Sequence, residues 1–156
     1  AVDHLQNMNA VRLASMIEKK GYKAYPVPAS YGVYQEKLAG LVSHKLVARA
    51  AGLGWVGKSG LFLTPQDGPR VRLTTILTDA NLFAGQPTKS RCGSCTICID
   101  ACPAGAINEL NTTTGLPQVD VNKCHKYQEE RKKSWEVKID RCICGLCQAV
   151  CPWGRD

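Results

Sequence analysis

Apolar positions near the start of the chain follow helical spacing twice. Between Asp3 and Gly21 they recur at near-helical intervals, at Leu5, Met8, Leu13, Met16 and Ile17. Asp3 is a typical helix-capping residue and Gly21 a typical helix stop, so the pattern predicts a helix over residues 3–20. A second apolar stripe predicts a helix over residues 35–51, which Gly52 would end.

Three extended segments accompany these helices. A short strand is predicted over residues 22–27, and Pro26 and Pro28 restrict it to a sheet edge or end it early because they lack a backbone donor. Two further strands are predicted over residues 60–64 and 71–78, joined by a turn rich in Pro, Asp and Gly. An α/β part of this size buries little apolar surface. We therefore expect it to dock on the rest of the chain or on a segment outside this sequence.

Cysteine usage divides the chain. All nine cysteines lie between Cys92 and Cys151, and the polar stretch at residues 86–90 marks the boundary. Two domains are therefore predicted, residues 1–87 and residues 88–156. A length of 156 residues excludes a large multidomain enzyme. No run reaches the roughly 18 to 20 apolar residues of a membrane span and no signal-peptide pattern is present, so a cytoplasmic protein is expected.

Charge changes this picture little. Lys and Arg outnumber Asp and Glu by 20 to 13, which gives a formal net charge of +7. Eight thiolates around two [4Fe-4S]2+ cores would offset about half of that excess. The basic balance is therefore weak evidence for a nucleic-acid partner.

Residues 52–59 match two nucleotide-binding patterns. Gly52 and Gly57-Lys58-Ser59 have P-loop spacing, and Gly52, Gly54 and Gly57 have the spacing of a dinucleotide fingerprint. Both motifs require a strand before them and a helix after them, so that helix N–H groups face a phosphate. The predicted order here is the reverse. ATP or NAD binding is therefore not expected, and a helix stop followed by a tight turn is the simpler interpretation.

Two cysteine runs carry the chemistry. Cys92, Cys95, Cys98 and Cys102-Pro103 follow the bacterial ferredoxin run, and Cys144, Cys147 and Cys151-Pro152 repeat its last three elements. In such runs three thiolates bind one [4Fe-4S] cube and the fourth reaches the other cube. Two crossed clusters are predicted. The first would be bound by Cys92, Cys95, Cys98 and Cys151, and the second by Cys102, Cys144, Cys147 and one more thiolate.

The identity of that last thiolate is open between two cysteines. A regular repeat would place it at Arg141, so Cys142 or Cys124 must serve. Cys142 is cramped against Cys144, whereas Cys124 lies on a separate segment, which favours Cys124 and leaves Cys142 as a small buried residue. Disulfides are not favoured because the number of cysteines is odd, and zinc sites would stop at four ligands.

Beyond the cysteines, the chain resembles the epoxyqueuosine reductase-like iron–sulfur proteins, which are related to corrinoid-dependent reductive dehalogenases. The matching segments are residues 21–30, 43–45, 50–59, 68–73, 78–79, 92–95 and 144–153. The Gly-Leu-Gly-Trp-Val-Gly-Lys block at residues 52–58 is the most specific of them, since many ferredoxins share the cysteine runs. The resemblance covers nearly the whole chain.

The resemblance implies an α+β architecture. Part of a nitroreductase-like α/β domain would bind cobalamin without a histidine ligand, and a two-cluster ferredoxin-type domain would follow it. A cysteine placed like Cys124 would complete the second cluster. The candidate corrinoid-lining residues are Ser43, His44, Gly52, Gly54, Trp55, Gly57 and Lys58. The family's proton-donating carboxylate lies near the position of Asp3, although Val2-Asp3-His4 does not match its surroundings cleanly.

The implied function is an iron–sulfur oxidoreductase that passes low-potential electrons through two clusters to base-off cobalamin for substrate reduction. Its partners would be a low-potential electron donor and a corrinoid or corrinoid protein. Family members begin well before residue 1, and the helical-repeat extension that some carry for tRNA is absent, so a tRNA partner is not favoured. Two alternatives are a stand-alone ferredoxin-type electron carrier and a corrinoid-activating redox subunit without its own substrate site.

Overall fold

The computed structural model describes residues 2–29, 32–34, 39–83, 85–134 and 144–155. The chain forms two compact units, one of Ala1–Gly54 with Val71–Thr88 and one of Trp55–Arg70 with Lys89–Asp156. This division differs from the predicted boundary after residue 87 in one respect. Residues 55–70 pack with the cysteine-rich segment, because their apolar side chains contribute to its core.

Helix α1 (Val2–Glu18) opens the first unit, close to its predicted bounds. Asp3 lies within the first turn instead of capping it, where a carboxylate interacts favourably with the helix dipole. The buried residues of the helix are Ala10 and Ala14, whereas the larger apolar side chains, such as Leu5, are exposed. The predicted apolar stripe is therefore not the buried face, because the two small alanines face the interior of the unit.

The β-sheet of the first unit pairs two strands far apart in sequence. Strand β1 (Ala24–Val27) runs antiparallel to a strand at Thr75–Thr78, with Ala24 opposite Thr78 and Val27 opposite Thr75. Both strands are shorter than predicted. β1 contains Pro26 and ends at Val27 as predicted, whereas it begins two residues later than predicted.

The prediction of a helix over residues 35–51 is wrong for the first part of that range. Strands β2 (Gly32–Tyr34) and β3 (Ala39–Gly40) pair antiparallel, and helix α2 covers His44–Ala50 alone. Residues 35–38 lie outside the described part of the chain. Gly40 disfavours a helix and Ser43 is the N-cap residue, which places the helix start at residue 44.

Gly52 ends α2 as predicted. It has a φ of +76°, and the N–H groups of Gly52 and Leu53 donate to the carbonyls of Arg49 and Ala48. These two bonds form a Schellman motif, which favours glycine at this position. An added Cβ would also lie 2.7 Å from the carbonyl oxygen of Gln86. Gly52 therefore has a structural role in this unit.

A hairpin begins the second unit. Strands β4 (Trp55–Val56) and β5 (Phe62–Leu63) pair antiparallel, and the Gly60 N–H donates to the Gly57 carbonyl in the turn between them. Lys58 and Ser59 thus lie in a hairpin turn and not at a helix N-terminus. The P-loop-like motif at residues 52–59 therefore has no helix N-terminus with which to bind a phosphate.

Short helices position the cysteines of the second unit. The strand at residues 75–78 is β6. The helices that follow it are α3 (Ile97–Asp100), α4 (Val121–Lys133) and α5 (Leu146–Ala149). The carboxylate of Asp120 caps α4 by accepting from the N–H groups of Asn122 and Lys123. The core of this unit contains Trp55, Val56, Phe62, Leu63, Ala106 and Ile107. None of the helices in the described residues is long and apolar enough to cross a membrane.

Candidate iron–sulfur site

Five thiols line one cavity of the second unit. One is Cys147, and the other four are Cys92, Cys95, Cys98 and Cys151. The N–H of Cys95 donates to the carbonyl of Cys92, and this tight turn with Gly93 at a φ of +51° brings the first two sulfurs to the same wall. Cys98 follows on α3, and Cys151 comes from the far end of the chain. These four residues are the predicted ligands of the first cluster.

A second group of thiols surrounds Cys147 on α5. The charges of Cys124, Cys144 and Cys102 all act on Cys147 and raise the pKa of its thiol, after burial as the largest cause. These four residues are the predicted ligands of the second cluster. Cys142, the alternative to Cys124, lies outside the described residues.

Two hydrogen bonds reach sulfurs of this second group. The backbone N–H of Ala106 donates to Cys102 Sγ at 3.4 Å, and Gln128 Nε2 donates to Cys124 Sγ at 3.0 Å. Hydrogen bonds to ligand sulfurs are one of the means by which proteins tune an iron–sulfur cluster, so both contacts suit sulfurs that bind iron.

Burial and the charges of neighbouring thiols raise the pKa of two of these cysteines, Cys98 and Cys147. Burial raises the pKa of Cys98 from 9.0 to about 11, and the charges of Cys92, Cys147 and Cys95 add to the rise. The action of Cys147 on Cys98 also indicates that the two groups of thiols adjoin. A positively charged iron core would reverse this cost, because it supplies the charge that the thiolates need.

The donor set fits an iron–sulfur cube. All eight described cysteines are free and half-buried. No group of three or more His, Cys, Asp or Glu side chains among the described residues converges closely enough to hold a single metal ion. A cube instead distributes its four thiolates over four iron corners, so thiols spread around a common cavity are the arrangement it requires.

Three of the predicted corrinoid-lining residues belong to this unit and are buried with protein partners. Trp55 is 1% exposed, and its ring packs edge-to-face on Trp153 with centroids 4.9 Å apart. An added Cβ on Gly57 would lie 2.7 Å from Leu63 Cδ1 and 3.2 Å from Cys92 Sγ. Lys58 is 3% exposed and forms an ion pair with Glu109. The structure therefore gives each of the three a contact within the cysteine-rich unit.

The remaining predicted residues lie in the first unit. His44 begins α2, with Nδ1 2.7 Å from Thr75 Oγ1 and Nε2 3.1 Å from the Pro28 carbonyl oxygen. Because a carbonyl only accepts, Nε2 carries a proton, and a neutral ring takes the Thr75 hydroxyl as donor to Nδ1. The side chain of Ser43 makes no capping hydrogen bond. The Gly54 carbonyl accepts from the Thr88 hydroxyl. A catalytic role for Asp3 stays a prediction.

Sequence reasoning missed two residues that contact the site. Gln128 lies four positions after Cys124 on α4, so the spacing of neighbours on one helix face could have identified it from the sequence. Glu109 lies in a loop fifty-one positions from Lys58, and nothing local in the sequence marks it. Its role depends on tertiary packing.

Comparison with known proteins agrees with this site. Residues 91–154 match the family of 4Fe-4S double cluster binding domains. The cysteine-rich unit is therefore that of a two-cluster iron–sulfur protein, as the cysteine runs predicted. The chain is also similar in sequence to epoxyqueuosine reductases over about 70% of its length, which confirms the predicted resemblance.

Two curated relatives illustrate the extent of the similarity. The chain is 37% identical over 115 residues to epoxyqueuosine reductase of Synechococcus sp. (strain RCC307), an alignment that covers 71% of this chain and 34% of that protein. It is 36% identical over 119 residues to epoxyqueuosine reductase of Bacillus anthracis, with 72% and 30% covered. The chain thus spans about a third of the length of these relatives.

Solved structures agree over a longer stretch of the chain. Epoxyqueuosine reductase from Streptococcus thermophilus superposes with a TM-score of 0.73 at 26% identity, covering 98% of this chain and 40% of that chain. An epoxyqueuosine reductase crystallised with an epoxyqueuosine-modified tRNA-Tyr stem loop gives a TM-score of 0.72 at 25% identity, with 99% and 39% covered. The mixed helix and strand fold with a double-cluster domain is therefore as expected.

Proposed function

We propose that this chain is the electron-delivering part of an epoxyqueuosine reductase-like enzyme. In this proposal, single electrons from a low-potential donor pass through two [4Fe-4S] clusters to a base-off cobalamin, and a substrate carried on tRNA is reduced. The observation that carries the proposal is the set of eight free thiols in two adjoining groups of four.

Adjacency of the two groups supports electron transfer between clusters. The charge of Cys147, from the second group, acts on Cys98 of the first group, and Cys147 also lines the first cavity. Clusters held by these thiolates would be neighbours, as electron relay requires. Each cube of this type accepts one electron at a time at low potential.

The cobalamin part of the proposal comes from the family resemblance. Bound cobalamin would supply a cobalt centre that the clusters reduce. Trp55, Gly57 and Lys58 do not fit direct contact with it, since they are buried against protein. Ser43 and His44 remain the candidates to hold it. His44 would bind without ligating cobalt, because both of its ring nitrogens already have partners.

The tRNA part comes from the relatives. The name epoxyqueuosine reductase and the relative crystallised with a modified tRNA stem loop support a substrate carried on tRNA, although the sequence analysis did not favour one. The Lys and Arg excess of the whole sequence is compatible with such a polyanion.

Anaerobic titration of the iron–sulfur-reconstituted chain with cob(II)alamin tests the proposal. Electron paramagnetic resonance would report base-off binding through loss of the superhyperfine splitting from the axial nitrogen. Base-off binding at stoichiometric cobalamin supports the proposal. The His44→Ala variant should then bind cobalamin more weakly and keep about eight irons, as two cubes require. A chain that holds both clusters yet leaves cobalamin free would instead support a two-cluster electron carrier.

A further inference from the structure

Lys58 is a buried cation at the wall of the first cluster cavity. It lines that cavity together with the thiols of Cys92, Cys95, Cys98, Cys147 and Cys151. Its side chain is 3% exposed. A buried ammonium group is costly unless a partner compensates it, so its presence here calls for an explanation.

The partner of Lys58 is Glu109, and the two ends of the ion pair differ in their surroundings. Lys58 Nζ lies 2.7 Å from Glu109 Oε2, but the Glu109 side chain is 61% exposed. Water screens the carboxylate far more than the ammonium group. The ammonium group therefore acts on its buried surroundings, the cavity wall included, with less screening than the carboxylate.

The hairpin fixes Lys58 in this place. Trp55 and Val56 before it and Phe62 and Leu63 after it are all buried core residues. The Gly57 N–H donates to the Leu61 carbonyl and closes the turn that carries Lys58. An apolar side chain would fill this position at lower desolvation cost, so packing alone does not account for a lysine.

We propose that Lys58 sets the reduction potential of the first cluster, with Glu109 as the residue that positions its charge. When the [4Fe-4S]2+ core takes one electron from a one-electron donor, it becomes [4Fe-4S]1+ and the site gains one negative charge. A fixed positive charge at the cavity wall stabilises that reduced state and raises the potential. This inference rests on the proposed two-cluster function and gives the Gly57-Lys58 motif a role at the cluster.

An anaerobic redox titration of the reconstituted chain, monitored by electron paramagnetic resonance, tests the role of Lys58. The Lys58→Met variant keeps the length of the side chain and removes its charge. We expect it to lower the reduction equilibrium constant of one cluster about tenfold, which is about 59 mV for one electron, and to leave the other cluster unchanged. The Lys58→Arg variant retains the charge and should restore most of the potential.

Glu109→Gln provides a test of opposite sign. Removing the carboxylate leaves Lys58 without its counter-charge, so the potential of the same cluster should rise. Glu130→Gln, an exposed change on α4, is the matched control and should leave that potential unchanged. Should Lys58→Met fail to retain iron, the direction of the Glu109→Gln shift decides: a rise supports the inference and no change overturns it.

Failure of this inference is distinguishable from failure of the proposed function. A wild-type chain that binds fewer than about eight irons contradicts the two-cluster function. A wild-type chain with both clusters and a Lys58→Met potential equal to the wild-type value overturns the role of Lys58 alone.

Discussion

Gln128 Nε2 lies 3.0 Å from Cys124 Sγ, one helical turn further along α4. The amide has no acidic proton to lose, so it acts on the sulfur as a hydrogen-bond donor and favours the thiolate. Helix α4 thereby carries both the proposed fourth ligand of the second cluster and a donor to its sulfur. Hydrogen bonds to ligand sulfurs are one of the means by which proteins set cluster potentials.

Replacing Gln128 should lower the potential of the second cluster. Gln128→Leu removes the donor and keeps a side chain of similar size. The bond strengthens when the reduced cluster adds negative charge to its ligands, and only this gain affects the potential, so the reduction equilibrium constant should fall by less than about tenfold. Gln118→Leu, an exposed change in the same unit, is the control. Equal potentials for Gln128→Leu and the wild type in a redox titration would contradict this role.

The choice between Cys124 and Cys142 is testable by iron content. Cys124→Ala should remove one ligand of the second cluster, which then loses iron or converts to a [3Fe-4S] form. Cys142→Ala should retain about eight irons. Chemical iron analysis and electron paramagnetic resonance of the oxidised proteins distinguish the two variants. Loss of iron from Cys142→Ala with a full complement in Cys124→Ala would reverse the assignment.

The turn at residues 65–69 should depend on a glycine at position 68. Gly68 has a φ of +56°, and an added Cβ would lie 2.0 Å from the Trp153 carbonyl oxygen. Gly115 has a φ of +64° and open space around it, so it isolates the conformational cost, about 1 to 2 kcal/mol. Gly68→Ala should destabilise the unit by several kcal/mol more than Gly115→Ala.

Urea-induced loss of the visible cluster absorbance measures this difference. Trp153 lines the first cavity two residues after Cys151, so a displaced turn should release that cluster first. Similar midpoints for the two alanine variants would show that the close approach of Gly68 to Trp153 has no energetic role.

The raised pKa of Cys98 predicts a pH dependence for the iron-free protein. The thiol ionises near 11 when folded, against an ordinary value of 9.0. Between these values the unfolded chain has released a proton that the folded chain retains, so folded stability falls as the pH rises from about 9 to about 11.

Thiol alkylation measures this shift directly. Cys98 in the folded, iron-free protein should react with iodoacetamide with a midpoint near pH 11, and in urea with a midpoint near pH 9. Peptide mass spectrometry identifies the modified residue, and circular dichroism checks that the iron-free protein is folded. Coinciding midpoints in a folded sample would contradict the burial of this thiol.

Local patterns predicted that these thiols meet at a common cavity because the cysteine spacing is itself the constraint. Cys92, Cys95 and Cys98 must lie within one short turn and one helix to face a common cavity, and the sequence displays that spacing. Helix α1 was equally accessible from its periodicity. Its buried face was not, because Ala10 and Ala14 carry too little apolar surface to mark a pattern.

Local sequence patterns could not predict the contacts between segments that are far apart in the chain. The hairpin of β4 and β5 follows α2 in sequence, which suggested that Lys58 belongs to the first part of the chain. The hairpin instead packs through the contact of Trp55 with Trp153 and the ion pair of Lys58 with Glu109, and both partners lie far along the sequence. Gly40 similarly shortened the second helix, because strand pairing with Gly32 outweighed the apolar spacing around it.

Iron and acid-labile sulfide content of the anaerobically reconstituted chain, with Mössbauer spectra, tests the central claim most directly. Two crossed cubes predict about eight irons and eight sulfides per chain, and spectra of [4Fe-4S]2+ cores alone in the oxidised protein. About four irons per chain, or zinc in place of iron and sulfide, would contradict the account.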